Sequence, residues 1–271
     1  MYIGFYKLDA TKCLGEGSFS TVYAATSCRA PYQEVAIKID KNPDINSVKH
    51  EANILSYLNR NLPNAKCIPI LYWYGVFGKR ACIVTPFYRS LTTTTEQLNP
   101  IEVINILRTI HELNIVHCDI KPDNFMLMQN TGQLVLIDFG LAQTLNSKLS
   151  ATTTVIGSLR YASYFVYLGQ KPCPRDDLIS AGYVFMEQLY NKPFLHINPR
   201  PDCKYELDSI YNINNLERKQ QRTLNALLSY NLPKHLCMYF HYLYQEHSQI
   251  DYQYLQSLFQ SLQSGDPEIV K

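Results

Sequence analysis

The sequence predicts an α+β chain in two lobes, a small β-rich lobe first and a larger, mainly helical lobe after it. Three observations carry that expectation. The first third alternates short β-type runs such as "STVYAAT" and "EVAIKID" with one helical pattern. Beyond about Arg175 the helical period dominates, and "PRDDLISAGYVFMEQLY" is its strongest stretch. With 271 residues, 46% of them hydrophobic and 18% charged, the chain is long and apolar enough to bury a full core.

Taken in order, "KLDATKCLG" and "STVYAAT" flank a Gly-bearing turn, and "EVAIKID" follows as an alternating strand. "NSVKHEANILSYLNR" reads as an amphipathic helix, with Val48, Ala52, Leu55 and Leu58 at helical spacing. "PILYWYGVFGKRACIVTPF" reads as a hairpin turning near Gly78. The character of the chain changes at about Phe87, so residues 1–87 and 88–271 are the expected lobes of one domain covering 1–271. "SLTTTTEQLNP" is a polar connector, and "PIEVINILRTIHEL" is a helix with Pro100 in its first turn. "NFMLMQNTGQLVLIDFG" reads as two short strands joined at Gly132.

The net charge of +2 is too balanced for nucleic acid to be the expected partner. Eight cysteines are scattered without a C-x-x-C pair, which argues for reduced, buried thiols over a zinc site or a disulfide framework. The N-terminus lacks a signal-peptide apolar core, and no run of about 18 apolar residues occurs. The expected setting is the reducing cytoplasm or nucleus, away from membranes, and the expected state is a monomer.

Four features then appear in one order. Gly15 to Val22, "GEGSFSTV", is a Gly-rich turn between strands, where the backbone can approach phosphates and offer N–H donors. Alone it reads more readily as a plain hairpin. Lys38 ends the apolar strand "VAIK" as a point charge suited to phosphate oxygens, and Glu51 on the following helix is a carboxylate that could hold it extended. In "VHCDIKPDNF", Val116 to Phe125, Asp119 is placed to orient a hydroxyl proton and Lys121 to neutralise a transferred phosphoryl group. Asn124 supplies an oxygen for a magnesium ion, and His117 is read as a packing and hydrogen-bonding residue. Asp138-Phe139-Gly140 follows the strand "LVLI", and Asp138 is the second expected metal ligand. Each motif has an ordinary turn or surface reading, but their order and spacing together are those of phosphoryl transfer.

On these motifs the chain resembles the eukaryotic protein kinase superfamily and, within it, casein kinase I. "GSLRYAS" at Gly157–Ser163 and "PRDDLISAG" at Pro174–Gly182 stand where that family has its own characteristic segments, and the vaccinia-related kinases are the neighbouring branch. The resemblance covers nearly the whole chain. It implies a kinase-like fold and ATP-dependent transfer to serine or threonine of protein substrates, with magnesium or manganese. It implies a nucleotide site built from Leu14, Gly15, Glu16, Gly17, Ser18, Phe19, Ser20, Val22, Ala36, Lys38 and Glu51. Val84 would guard the back of the adenine pocket, followed by Thr85 and by Phe87, whose N–H is the expected hinge donor. Ser158 would tie the substrate platform to the catalytic loop, and Asp177 would anchor that loop's backbone. Arg175 and Lys219 match part of the family's basic pocket for phosphorylated substrates. Pro174 replaces one of its paired arginines, so a preference for primed substrates stays open.

Cys118 stands where many such loops carry the arginine that reads a phosphorylated activation segment. Its loss removes that switch and leaves Asp119, Lys121, Asn124 and Asp138 in place, so activity without prior phosphorylation is expected. Thr152, Thr153 and Thr154 are candidate autophosphorylation sites. The sequence has no long tail beyond the expected domain, so tail-mediated autoinhibition within this chain is not expected. The alternative is a pseudokinase serving as a scaffold or nucleotide-binding module, supported by Cys118, by Ser20 in place of a third loop glycine and by the short connector. A small-molecule phosphotransferase shares the same catalytic logic but does not need the "GSLRYAS" segment.

Overall fold

The computed structural model describes residues 1–91, 97–146, 155–190 and 216–260. Thr152, Thr153 and Thr154 lie outside the described residues, as does part of the connector. In chain order the elements are β1 (Tyr2–Ile3), β2 (Tyr6–Glu16), β3 (Ser20–Ser27), β4 (Glu34–Asp40), α1 (Ser47–Asn61), β5 (Trp73–Phe77), β6 (Arg80–Pro86) and β7 (Tyr88–Ser90). Then come α2 (Pro100–His111), β8 (Ile115–Val116), β9 (Phe125–Met128), β10 (Leu134–Leu136), β11 (Gln143–Thr144), α3 (Tyr164–Tyr167) and α4 (Pro174–Tyr190). The described elements end with α5 (Leu216–Gln221), α6 (Leu224–Leu228), α7 (Lys234–Leu243) and α8 (Tyr252–Ser257). The N-terminal region is β-rich and the C-terminal part helical. Two compact units result: Met1–Thr94 with Asp123–Ala142, and Thr95–Pro122 with Gln143–Lys271.

The first unit is built on a six-stranded antiparallel sheet in the order β1-β2-β3-β4-β6-β5. Its core is one face of that sheet. Leu8, Ala25, Val35, Ile37, Ile39, Cys82 and Val84 pack there with Tyr23, Trp73 and Phe77. Each fully buried large apolar side chain contributes about 1.5–3 kcal/mol, so this face fixes the register of the strands. The β5–β6 hairpin closes through Gly78 and Lys79, with φ of 54° and 67°. Two successive positive φ values give the turn twist that matches paired strands, and glycine supplies the first at little cost. At the N-terminus of α1 the Asn46 side chain makes no cap. Asp40, at the end of β4, accepts from the Val48 N–H at 3.1 Å instead and ties helix to sheet. β7, β9 and β10 form a separate three-stranded sheet in the same unit.

The second unit is helical around α4, whose residues Asp176–Met186 are all buried. Phe185 packs edge-on against Tyr239 and Phe259, with ring centres 5.9 and 5.4 Å apart. α2 starts as its sequence dictates: Asn99 accepts from the Ile101 N–H at 3.0 Å and Pro100 opens the first turn. The described cysteines are all free thiols. Cys82 is buried, but Cys13 and Cys28 are exposed, because they fall on the outer side of β2 and just beyond β3. No helix among the described residues is long and apolar enough to cross a membrane.

Candidate functional site

Within the first unit, period-two alternation along β4 separates two sets of side chains. Val35, Ile37 and Ile39 face the core, so Ala36 and Lys38 share the other face. Cross-strand register extends that face. Val22 and Ile83 stand opposite Lys38, and Thr85 stands opposite Ala36. Val84 pairs with Ile37 and is fully buried in the core cluster. The register therefore turns Val84 toward the core and puts Thr85, like Ile83, on the Lys38 face. Motif spacing does not fix strand register, and a slip of one residue reverses the face.

The β2–β3 connection carries the Gly-rich turn. Gly15 pairs with Val22, and the Gly17 N–H donates to the Ser20 carbonyl at 2.9 Å. A Cβ on Gly15 would meet nothing within 4 Å, so the space above this backbone is open. Leu14 and Phe19 are exposed, and Ser20 is buried at the turn's end. Glu16 is held by Lys41 at 2.7 Å. Ser18 lies in the turn itself, and Phe87 lies just beyond β6, with the Lys12 ammonium 5.8 Å above its ring centre.

The Lys38 ammonium sits 2.7 Å from Glu51 Oε2 and 2.6 Å from Asp138 Oδ1. Burial alone would lower its pKa, but the two carboxylates and their hydrogen bonds outweigh burial and raise it. Lys38 is therefore charged at every physiological pH. Burial pushes Glu51 upward as well. Lys38 on one oxygen and the Phe139 N–H on the other, at 3.2 Å, favour its charged form. Asp138 has a left-handed backbone, φ 66°, and caps a short 3-10 turn over Phe139–Leu141 by accepting from the Gly140 N–H at 3.3 Å. Phe139 is fully buried. The Asn124 carbonyl accepts from the Ile137 N–H at 2.8 Å, which brings the chain at Asn124 beside the residue preceding Asp138.

These residues fit a hard dication. Asp138 and Asn124 are oxygen donors, and magnesium is commonly held by one or two protein oxygens with water and phosphate oxygens completing its shell. No cluster of three or more His, Cys, Asp or Glu placed for a metal occurs among the described residues, and such a site does not need one. The open backbone at Gly15 and the charged Lys38 fit a polyphosphate.

The second unit holds the loop that follows β8. Asp177 of α4 is buried and accepts three hydrogen bonds: from the His117 N–H at 2.7 Å, the Cys118 N–H at 2.9 Å and His111 Nε2 at 2.9 Å. Since a carboxylate only accepts, His111 donates from Nε2, and its Nδ1 stands 2.8 Å from the Tyr252 hydroxyl. The left-handed φ of 66° at Cys118 turns the loop there. The Cys118 thiol is pushed well above its ordinary value by burial and by Asp177, Asp176 and Asp119 nearby. A thiol shifted in this direction stays protonated at neutral pH. Asp119 accepts from Lys121 Nζ at 2.6 Å on one oxygen and from the Ser158 main-chain N–H at 2.8 Å on the other. The Asp119 N–H is 3.3 Å from His117 Nδ1. Gly157, with φ 90°, lies so close to the loop that a Cβ would stand 2.1 Å from the Cys118 carbonyl oxygen.

Arg175 stacks over Phe165, 3.5 Å from its ring centre, and reaches Gln170 at 3.4 Å, while Lys219 lies on α5. No contact joins the two among the described residues. Sequence reasoning passed over Arg222. It is fully buried and donates to the carbonyls of Ala162 at 2.8 Å, Leu159 at 2.6 Å and Arg160 at 3.1 Å, so it grips the segment that follows Ser158. Also passed over were Asp176, which accepts from Ser163 and from the Cys173 N–H, and Glu187, which accepts from Arg160 and Tyr161. "PRDD" gave a signal for Asp176 as the first of two buried acids, whereas nothing local marks Arg222. Compared with known families, residues 8–246 match the model of the protein kinase domain.

Proposed function

Because the chain belongs to the protein kinase family, we propose that it is an ATP-dependent serine/threonine kinase of casein kinase I type, active without phosphorylation of its activation segment. The observation that carries the reading is Lys38 held charged between Glu51 and Asp138, in a chain whose catalytic loop keeps Asp119, Lys121 and Asn124. The casein kinase I assignment draws on "GSLRYAS" and "PRDDLISAG", and on the way both segments are tied down.

In this reading the main chain of the Gly15–Ser20 turn and the Lys38 ammonium bind the polyphosphate of ATP. Asp138 and Asn124 would hold a divalent cation, which when bound neutralises charge on the phosphate oxygens. Asp119 accepts the hydrogen bond of the substrate hydroxyl and orients its oxygen toward the γ-phosphorus. As the new O–P bond forms, the bond to the bridging oxygen breaks, ADP leaves and the hydroxyl proton passes to Asp119. Lys121 offsets the charge of the phosphoryl group in flight. Thr85, on the Lys38 face, lies beside the adenine. Ser and Thr targets, intracellular location and a monomeric state complete the reading.

The test is transfer from radiolabelled ATP to a peptide library with matched phosphorylated and unphosphorylated members. Wild-type protein is expected to label serine and threonine peptides, and Asp119→Asn to lose about 100-fold or more while still binding nucleotide. Magnesium-dependent ATP binding with no transfer to any peptide or to itself would replace the kinase reading with that of a pseudokinase.

A further inference from the structure

Two neighbouring side chains of α1 reach the segment that carries Asp138. Glu51 Oε1 accepts from the Phe139 N–H at 3.2 Å. His50 Nε2 stands 2.6 Å from the carbonyl oxygen of Ala142. A carbonyl only accepts, so Nε2 carries the proton and donates. The turn between these contacts is short, and the Ala142 N–H closes it onto the Phe139 carbonyl at 3.1 Å. α1 therefore holds the turn at its first N–H and at its last carbonyl. Between them Gly140 lies against the helix, where a Cβ would stand 2.9 Å from Ser47 Oγ.

We propose that His50 is a positioning residue, a second latch that fixes α1 against residues 138–142 and so keeps Asp138 and Glu51 in their places about Lys38. The proposal rests on the kinase reading for its consequence, since Asp138 and Lys38 matter because they handle metal and phosphate. Consecutive helix residues project about 100° apart, so the two bonds pull along different lines. With one bond alone the turn could pivot about it, and the pair prevents that. Asp138 gives the latch its purpose. Its φ of 66° is one that a residue with a side chain holds only when its surroundings over-determine it. Lys38 and the Gly140 N–H hold its carboxylate, and the latch holds the chain that follows.

The experiment compares His50→Gln, which keeps a side-chain N–H at similar reach, with His50→Leu, which has none. Hydrogen exchange on nucleotide-free protein reads the latch directly, in a peptide covering 137–143, and a peptide from α4 reports any global opening. His50→Leu is expected to speed exchange in the 137–143 peptide by roughly 3–10-fold, the worth of one hydrogen bond, with α4 unchanged. In transfer assays it should lower kcat/KM for ATP by a similar factor and leave KM for the peptide substrate alone, and His50→Gln should restore both readouts. Wild-type exchange in His50→Leu, or equal loss in the two variants, would overturn the proposal. If wild-type protein transfers no phosphate, the kinase reading fails, and the exchange comparison still decides the latch.

Discussion

The main-chain N–H of Ser158 donates to Asp119 Oδ1 at 2.8 Å. It is a backbone contact, and it joins the segment beginning at Gly157 to the loop that carries Asp119. Gly157 lies against the Cys118 carbonyl, and Asp177 fixes the same loop through two main-chain N–H groups. In a kinase that waits for a phosphate, an arginine beside the catalytic aspartate supplies the docking force. Here a main-chain contact joins the two segments, and the half-buried Cys118 thiol is pushed well above its ordinary value.

Phosphatase-treated protein should therefore transfer phosphate to casein or a peptide within about twofold of untreated protein, since no charge-reading residue is lost with the phosphate. Activity that disappears on dephosphorylation and returns on incubation with ATP would show that a switch exists despite Cys118.

Gly157→Ala tests the docking itself. An alanine there meets both a left-handed φ and a carbonyl oxygen at 2.1 Å, which is backbone and cannot swing aside. The segment must lift off the loop, at a cost of about 1–3 kcal/mol. Urea unfolding should show that loss, and turnover should fall further than nucleotide binding, because Ser158 moves away from Asp119. A variant with wild-type turnover would mean that the docked geometry is not the working one.

How much of this was legible in the sequence depended on the range of each interaction. α1, α2 and the β5–β6 hairpin follow from local periodicity and turn chemistry, and each forms where "NSVKHEANILSYLNR", "PIEVINILRTIHEL" and Gly78 place it. Lys38, Glu51 and Asp138 were singled out because each sits in a motif, although their meeting brings together residues 100 positions apart. Which of Val84 and Thr85 shares the Lys38 face was not legible, because face is set by strand register, which no single residue encodes. Arg222 was invisible because its partners are carbonyls, and every residue has a carbonyl. His50 was passed over for the same reason: its acceptor is the backbone of Ala142.

Asp177→Asn removes one acceptor from a buried group that serves three donors. The amide oxygen can satisfy one main-chain N–H, and the amide NH2 then faces the other, donor against donor. Leaving a buried N–H unsatisfied costs about 1–3 kcal/mol. The loss should appear in urea unfolding as a lower midpoint with an unchanged slope. Because the loop holding Asp119 loosens, turnover should fall while nucleotide affinity stays within about threefold, an effect below the worth of one hydrogen bond. An equal fall in nucleotide affinity would mean that the effect is general unfolding.

The cysteines set a pH limit on stability. Burial pushes the Cys82 thiol up to about 11 and the Cys173 thiol up to about 12. In the unfolded chain both ionise near 8.5, as free thiols do (about 8.5). Below that pH both states hold the proton, and the stability due to the buried thiols is fully present. Above it the unfolded chain releases protons that the folded chain keeps, so stability falls as pH rises toward the folded values. Urea midpoints should therefore decline between about pH 8 and 9.5, before tyrosines titrate near 10, and a Cys82→Ala/Cys173→Ala double variant should decline less. Alkylation mapped by peptide should follow the same division, with exposed Cys13 and Cys28 modified before Cys82, Cys118 and Cys173. A midpoint that holds steady across this range, or early modification of Cys118, would show that the thiols are not held as the structure has them.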